Sequence, residues 1–359
     1  MKINKIKKYY RTIFIFFIFQ FLLIFFFSTG KVRAKAFEIA DVEISKPFEM
    51  GFNKNRVIDE GFKKAFNKLI LIIVNSSNQK KIEDVKLNEI KFMIESFSIK
   101  EEQFINEVYY LNLGVSFNRK KIFKFLEKRN IFPSIPNRNK LLYLPIVIEE
   151  DNKNLFIFTN NKIFKEWNEI REKHHLIEYI LPTEDLEDLE LIKKKYEFLE
   201  KYDFNEIINK YNLNDAIISL IFKNKNKIRV LSRVSIRNNV FLKNRSFKDL
   251  SLKNSNHIEK IIRSLKIDFE DYWKDMNQIN TSIKLPLRIK VKSSNEKKIS
   301  IFENVLEETD LIYDFIIKKF DNKYIIYEII YNGTPDIFLR SMGEKDLNFD
   351  IQEKDWILK

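Results

Sequence analysis

The sequence predicts a mixed α/β and α+β chain of several small modules, the last of them a βαββαβ ferredoxin-like sandwich. Three observations carry that expectation. Apolar residues alternate between a spacing of two and a spacing near 3.6, so strands and helices follow one another throughout. Pro133 and Pro136, and a polar break near residue 278, divide the alternation into blocks. The chain also holds 34 Phe and 14 Tyr, enough apolar material for more than one core.

Residues 1–36 read as a cleavable signal peptide. Lys2, Lys5, Lys7, Lys8 and Arg11 form a basic start, and residues 13–27 are apolar except for Gln20. Ala34-Lys35-Ala36 then supplies the small-x-small cleavage pattern, which leaves Phe37 as the new N-terminus. As a helix the apolar run spans about 22 Å, against roughly 30 Å of bilayer hydrocarbon. The expected location is therefore periplasmic, with only transient membrane contact through the signal peptide. The alternative is an inner-membrane anchor with the remaining chain facing the periplasm.

The first block, residues 37–139, opens with a strand over 37–44. Ile58, Phe62, Ala65, Phe66, Leu69, Ile70 and Ile73 then share one helical face. Ile90, Met93, Ile94 and Phe97 predict a second helix, and the alternation of residues 109–117 a half-buried strand. Asn118 is placed to cap the helix that carries Ile122, Phe123 and Leu126.

The second block, residues 140–278, reads βαβααββα. It opens with a continuous apolar run, 141–148, of the kind buried on both faces. Ile163, Phe164, Trp167 and Ile170 suggest a helix and residues 176–181 a strand; helices are expected over 186–199 and 204–211. Residues 216–222 and 227–236 form a hairpin. Ile258, Ile261, Ile262, Leu265, Phe269, Tyr272, Trp273 and Met276 supply the face of a closing helix.

The third block, residues 279–359, begins with strict alternation from Ile283 to Val291, although Pro286 would withhold an N–H from a central strand. Ser293 and Glu296 have capping-box spacing ahead of Ile299, Phe302, Val305 and Leu306. Residues 311–320 and 323–331 predict a hairpin across Asp321-Asn322. Thr334-Pro335 starts a helix that Gly343 ends, and Leu347, Phe349 and Ile351 alternate as a final strand. The resulting order is the split βαβ.

Charge and composition narrow the functional classes. The formal net charge is +13, but residues 1–36 hold eight Lys and Arg and no acidic residue, which leaves +5 on the remainder. That modest charge in an exported protein excludes nucleic acid as the expected partner. With no Cys, thiolate catalysis, Cys-ligated metal and disulfides are all excluded. The six scattered Gly form no phosphate loop. His174 and His175, adjacent on the chain, are expected to cap a helix end and not to bind metal. No cofactor and no metal are expected.

Two side-chain groups are candidates for chemistry. Glu184, Asp185 and Asp188, with Glu187 and Glu190, follow Pro182; they suit either acid–base work or the positive end of a helix, with Thr183 or Asp185 as its cap. Arg229, Arg233 and Arg237 alternate along one face of the predicted hairpin, with Lys243, Arg245 and Lys248 after them. That face suits an anionic partner or a solvated sheet surface whose charges prevent aggregation.

The order of motifs resembles an exported proteobacterial family catalogued as domain of unknown function 2066. The resemblance rests on the helix ending at Ile73-Val74, on Leu113-Gly114-Val115-Ser116-Phe117-Asn118 and on the strand 141–148. It continues in Leu181-Pro182-Thr183-Glu184-Asp185-Leu186-Glu187-Asp188 and in Tyr211-Asn212-Leu213-Asn214-Asp215-Ala216. Asn75 and Ser76 stand where the family commonly has a Gly. The resemblance covers most of residues 37–278, implies a periplasmic location and assigns no active site. The leading expectation is a non-catalytic periplasmic protein that binds envelope proteins or an anionic envelope polymer. The alternative is a hydrolase that uses the acidic cluster 184–188.

Overall fold

A computed structural model describes residues 37–359, apart from 225, 226, 238 and 310. The signal-peptide reading, with its cleavage pair Ala34 and Ala36, lies outside the described residues. The described chain is a mixed α and β protein with three sheets.

The first sheet has the antiparallel order β1-β3-β2, from β1 (Glu38–Pro47), β2 (Ile94–Ile105) and β3 (Val108–Phe117). Helix α1 (Lys54–Ile73) packs across it. Asn53 starts α1 by accepting the N–H groups of Asn55 and Arg56 at 2.9 and 3.3 Å. The buried face holds Phe62, Ala65, Phe66, Leu69, Ile70 and Ile73, as its spacing predicts. Each large side chain buried there contributes about 1.5–3 kcal/mol. Gly61 lets the helix approach the sheet: a Cβ at that position would lie 2.5 Å from Leu113 and 2.9 Å from Ile44.

The helix expected through Phe97 stops early. Helix α2 covers Leu87–Met93, and the chain then turns into β2. Asn106 and Glu107, both at positive φ, form the two-residue turn between β2 and β3 without any glycine signal. Helix α3 (Arg119–Glu127) follows, with Asn118 accepting the N–H of Lys121 at 3.1 Å.

The central sheet is built on β4 (Asn139–Glu149). It pairs in parallel with β6 (Ile177–Ile180) and β7 (Ala216–Asn224), and antiparallel with β5 (Asn154–Phe156). A meander continues from β7 through β8 (Lys227–Ile236) to β9 (Asn239–Lys248). Helices α4 (Lys162–Glu166) and α7 (Ser255–Met276) cover one face. The segment holding α5 (Leu186–Lys194) and α6 (Asn205–Ile208) covers the other. The predicted order βαβααββα lacked β5 and β9. Edge strand β9 is mostly exposed, so no burial pattern marks it. The helices expected over 186–199 and 204–211 are α5 and α6, each followed by a short 3₁₀ turn.

Helix α7 buries three charged side chains at successive i+4 positions beside its apolar face. Lys266 donates to the carbonyls of Trp167 (2.8 Å) and Ile170 (2.6 Å). Glu270 accepts the N–H groups of Leu176 and Ile177 at about 3.0 Å. Lys274 donates to Leu71 (2.7 Å) and Val74 (3.2 Å) at the end of α1. Each satisfies backbone groups that burial would otherwise leave unpaired. Burial pushes Lys266 down to about 8 and Glu270 upward. Asn75 and Ser76 bond Asp275 and Asp271 of the same helix.

The C-terminal sheet has the order β11-β12-β10-β14-β13. Strand β10 (Leu285–Lys292) leads through α8 (Glu296–Glu308) to β11 (Ile312–Phe320), and β12 (Tyr324–Tyr331) lies antiparallel between the two. This arrangement is consistent with the first part, βαββ, of the expected βαββαβ order. After α9 (Pro335–Gly343) the ending differs. Two short strands, β13 (Phe349–Asp350) and β14 (Trp356–Leu358), replace the single strand expected through residues 347–351, and β14 joins β10 in parallel.

Pro286 pairs with Ile330 near the start of β10, before the stretch that β14 reaches, so a strand-end position accommodates it. Asn295, not Ser293, caps α8 by accepting the Lys298 N–H at 3.0 Å. Ser293 instead donates to the Asp321 carbonyl at 2.7 Å. Arg119 of α3 donates to the carbonyls of Thr309 (2.7 Å) and Ile312 (2.9 Å), joining the first sheet's helix to the third sheet. Among the described residues no helix is long and apolar enough to cross a membrane.

Candidate functional site

The connections of the central sheet place a crevice. The path from β4 to β6 runs through α4 on one face, and the path from β6 to β7 runs through α5 and α6 on the other. Strand order turns back at β4, which opens a gap beyond the carboxyl ends of β4 and β7. Two neighbouring clefts occupy that region, of about 190 and 550 Å³, and both are lined by Glu150 and Phe222. The larger is in the size range of small-ligand sites.

Register explains its lining. Asn224 of β7 pairs with Lys227 of β8, and Lys227 pairs with Lys248 of β9. Two residues inward along the strands, Ile148, Phe222, Arg229 and Ser246 lie side by side on the same face. Directly paired residues share a face, so Lys227, Arg229 and Lys248 converge on the larger cleft together with Phe222 and Asn224, and the carboxylates Glu150 and Asp249 complete its lining. Lys227 and Lys248 have no ion-pair partner among the described residues, and a directly opposed like-charge pair is destabilising.

Arg229 is held in two ways. Its guanidinium stacks 4.0 Å from the centre of the Phe222 ring, and its Nη2 donates to Glu200 Oε1 at 2.8 Å. Glu200 belongs to the smaller cleft, whose wall also includes Tyr196, Glu197 and Leu199.

The other predicted basic residues are committed elsewhere. Arg233 donates to the carbonyls of Tyr202 (2.7 Å) and Glu200 (3.1 Å), fixing the wall to the sheet. Arg237 does not share the face of Arg229 and Arg233: it lies past the end of β8 at φ 49°, with its guanidinium over Trp273 of α7. The chain's left-handed turn there breaks the alternation on which the predicted stripe depended. Lys243 and Arg245 both pair with Asp268 of α7, the first at 3.8 Å.

The acidic group forms a helix start. Asp185 caps α5 by accepting the Glu187 N–H at 2.8 Å. Lys210 donates to Asp188 at 2.6 Å and to Asp185 at 3.0 Å, so Asp188 and then Asp185 hold the lysine pKa up. Hydrogen bonding from Lys210, then from the Glu187 N–H, lowers Asp185. Glu184 accepts from the Thr159 hydroxyl at 3.0 Å. Glu184, Asp185 and Asp188 line neither cleft.

His174 and His175 do not cap a helix, because α4 ends at Glu166. They sit half-buried in the turn before β6, where burial lowers both, His175 to about 4.

Sequence reading found Arg229 but not Lys227, Phe222, Asn224 or Glu150. The available signal was that Lys227 has the same strand parity as Arg229. Comparison with protein-family models and with curated proteins gave no match to this chain.

Proposed function

We propose that this chain is an exported, non-catalytic protein of the cell envelope that holds an anionic envelope polymer on the basic cleft. The carrying observation is Lys227 directly opposite Lys248, beside Arg229, at the mouth of a cleft of about 550 Å³. Retaining such a pair costs stability, and an anion from outside the protein would offset that cost. The tripartite N-terminal segment supports export, and the resemblance of most of residues 37–278 to an exported family supports the same compartment. The bonds that occupy Glu184, Asp185 and Asp188 weigh against the hydrolase reading.

Arg233 and Arg237 serve backbone and aromatic partners, so changing them reports on folding as much as on binding. The informative variant is Lys227→Ala/Lys248→Ala. Inorganic polyphosphate should bind the unchanged protein and weaken as salt rises, and the double variant should bind at least tenfold more weakly. Equal binding by the two proteins would remove the cleft from the reading. Location has its own test, intact mass and fractionation in a Gram-negative host. A soluble periplasmic product beginning at Phe37 is expected. A full-length product in the membrane fraction would favour the anchored alternative, and selective capture of acidic proteins over polymers would replace the ligand class.

A further inference from the structure

Building on that reading, we propose that Glu200 is an internal competitor for the ligand: its carboxylate occupies Arg229 in the free protein and divides one long cleft into two. An anionic group arriving on Lys227 and Lys248 displaces it and joins the two clefts.

The two clefts share Glu150 and Phe222; Arg229 lines only the larger and Glu200 only the smaller. The Arg229–Glu200 ion pair therefore spans the boundary between them. Both side chains are substantially exposed, Arg229 at 33% and Glu200 at 50%, and an exposed pair of this kind is weak. A ligand that brings several negative charges meets three cations against the two carboxylates Glu150 and Asp249, and competes with this weak pair for Arg229.

The surroundings allow the carboxylate to leave without moving the wall. Arg233 holds the Glu200 and Tyr202 carbonyls at 3.1 and 2.7 Å, and Leu199 is buried beside them. Backbone stays pinned while the Glu200 side chain rotates into solvent. Phe222, stacked on the guanidinium, keeps Arg229 in place when its carboxylate partner departs. The planar, five-donor guanidinium is matched to phosphate or carboxylate oxygens in the position Glu200 vacates.

A double-mutant cycle tests the competition, with dissociation constants for inorganic polyphosphate measured at one ionic strength on the full chain as the host processes it. Glu200→Gln should tighten binding by about 2- to 5-fold, the range expected for releasing an exposed pair. In an Arg229→Gln background the same change should have no effect. Poly-L-glutamate, run in parallel, separates carboxylate from phosphate preference. Equal tightening in both backgrounds would reduce Glu200 to a contributor to the local field and overturn the proposal. Unchanged or weaker binding by Glu200→Gln would overturn it too, while leaving the basic cleft intact as the binding site. Failure of every variant, the unchanged protein included, to bind either polymer would overturn the functional reading along with the competitor.

Discussion

Lys227 of β8 is the direct cross-strand partner of Lys248 of β9, on the sheet face that also presents Arg229. The pairing sets stability against binding. Lys248→Glu converts repulsion into attraction and is expected to stabilise the fold by about 0.2–1 kcal/mol, measured by chemical denaturation. The same variant should lose polyanion binding. A variant both less stable and still able to bind would separate the lysine pair from the site.

Glu270 anchors the start of β6 to α7. Glu270→Ala leaves the N–H groups of Leu176 and Ile177 buried without an acceptor. It also removes a negative charge lying between buried Lys266 and Lys274. Breaking such a buried charged network is expected to cost about 3–5 kcal/mol, read as a fall in denaturation midpoint with unchanged slope. A loss below about 1 kcal/mol would show that solvent reaches the site in solution.

Arg119 joins the first and third sheets by donating to the carbonyls of Thr309 and Ile312. Arg119→Ala should cost about 1.5–3 kcal/mol, the range for hydrogen bonds to a charged group. Hydrogen exchange should rise selectively around residues 309–312. A uniform rise across all three sheets would instead indicate global destabilisation.

His175 makes stability pH-dependent on the acid side. The unfolded chain protonates this residue below about pH 6.5, whereas burial delays protonation in the folded chain to about pH 4. Stability from this group is thus fully present above pH 6.5 and lost as pH falls through that window. His174, also lowered by burial, acts in the same direction. His175→Gln should reduce the fall in melting temperature between pH 7 and pH 4.5. An unchanged pH profile would mean the ring is solvated in solution.

Legibility in the sequence followed burial. The faces of α1 and α7 could be read because their apolar residues repeat at helical spacing, and β8 because alternate residues are buried. Strands β2 and β9 were not legible, since an exposed edge strand carries no such pattern. Lys266, Glu270 and Lys274 were also hidden, because spacing records which positions are apolar and not which charges find buried carbonyl or N–H partners.

The sequence alone determined the repeated alternation of strands and helices, their main buried faces, the signal-like start and the shared face of Arg229 and Arg233. Tertiary structure decided which charges remain available. Arg233 and Arg245 were drawn to groups distant along the chain, while Lys227 and Lys248 were set against each other by strand register. Periodicity in one strand fixes the direction of a side chain; its neighbour is fixed only when a second strand takes its register.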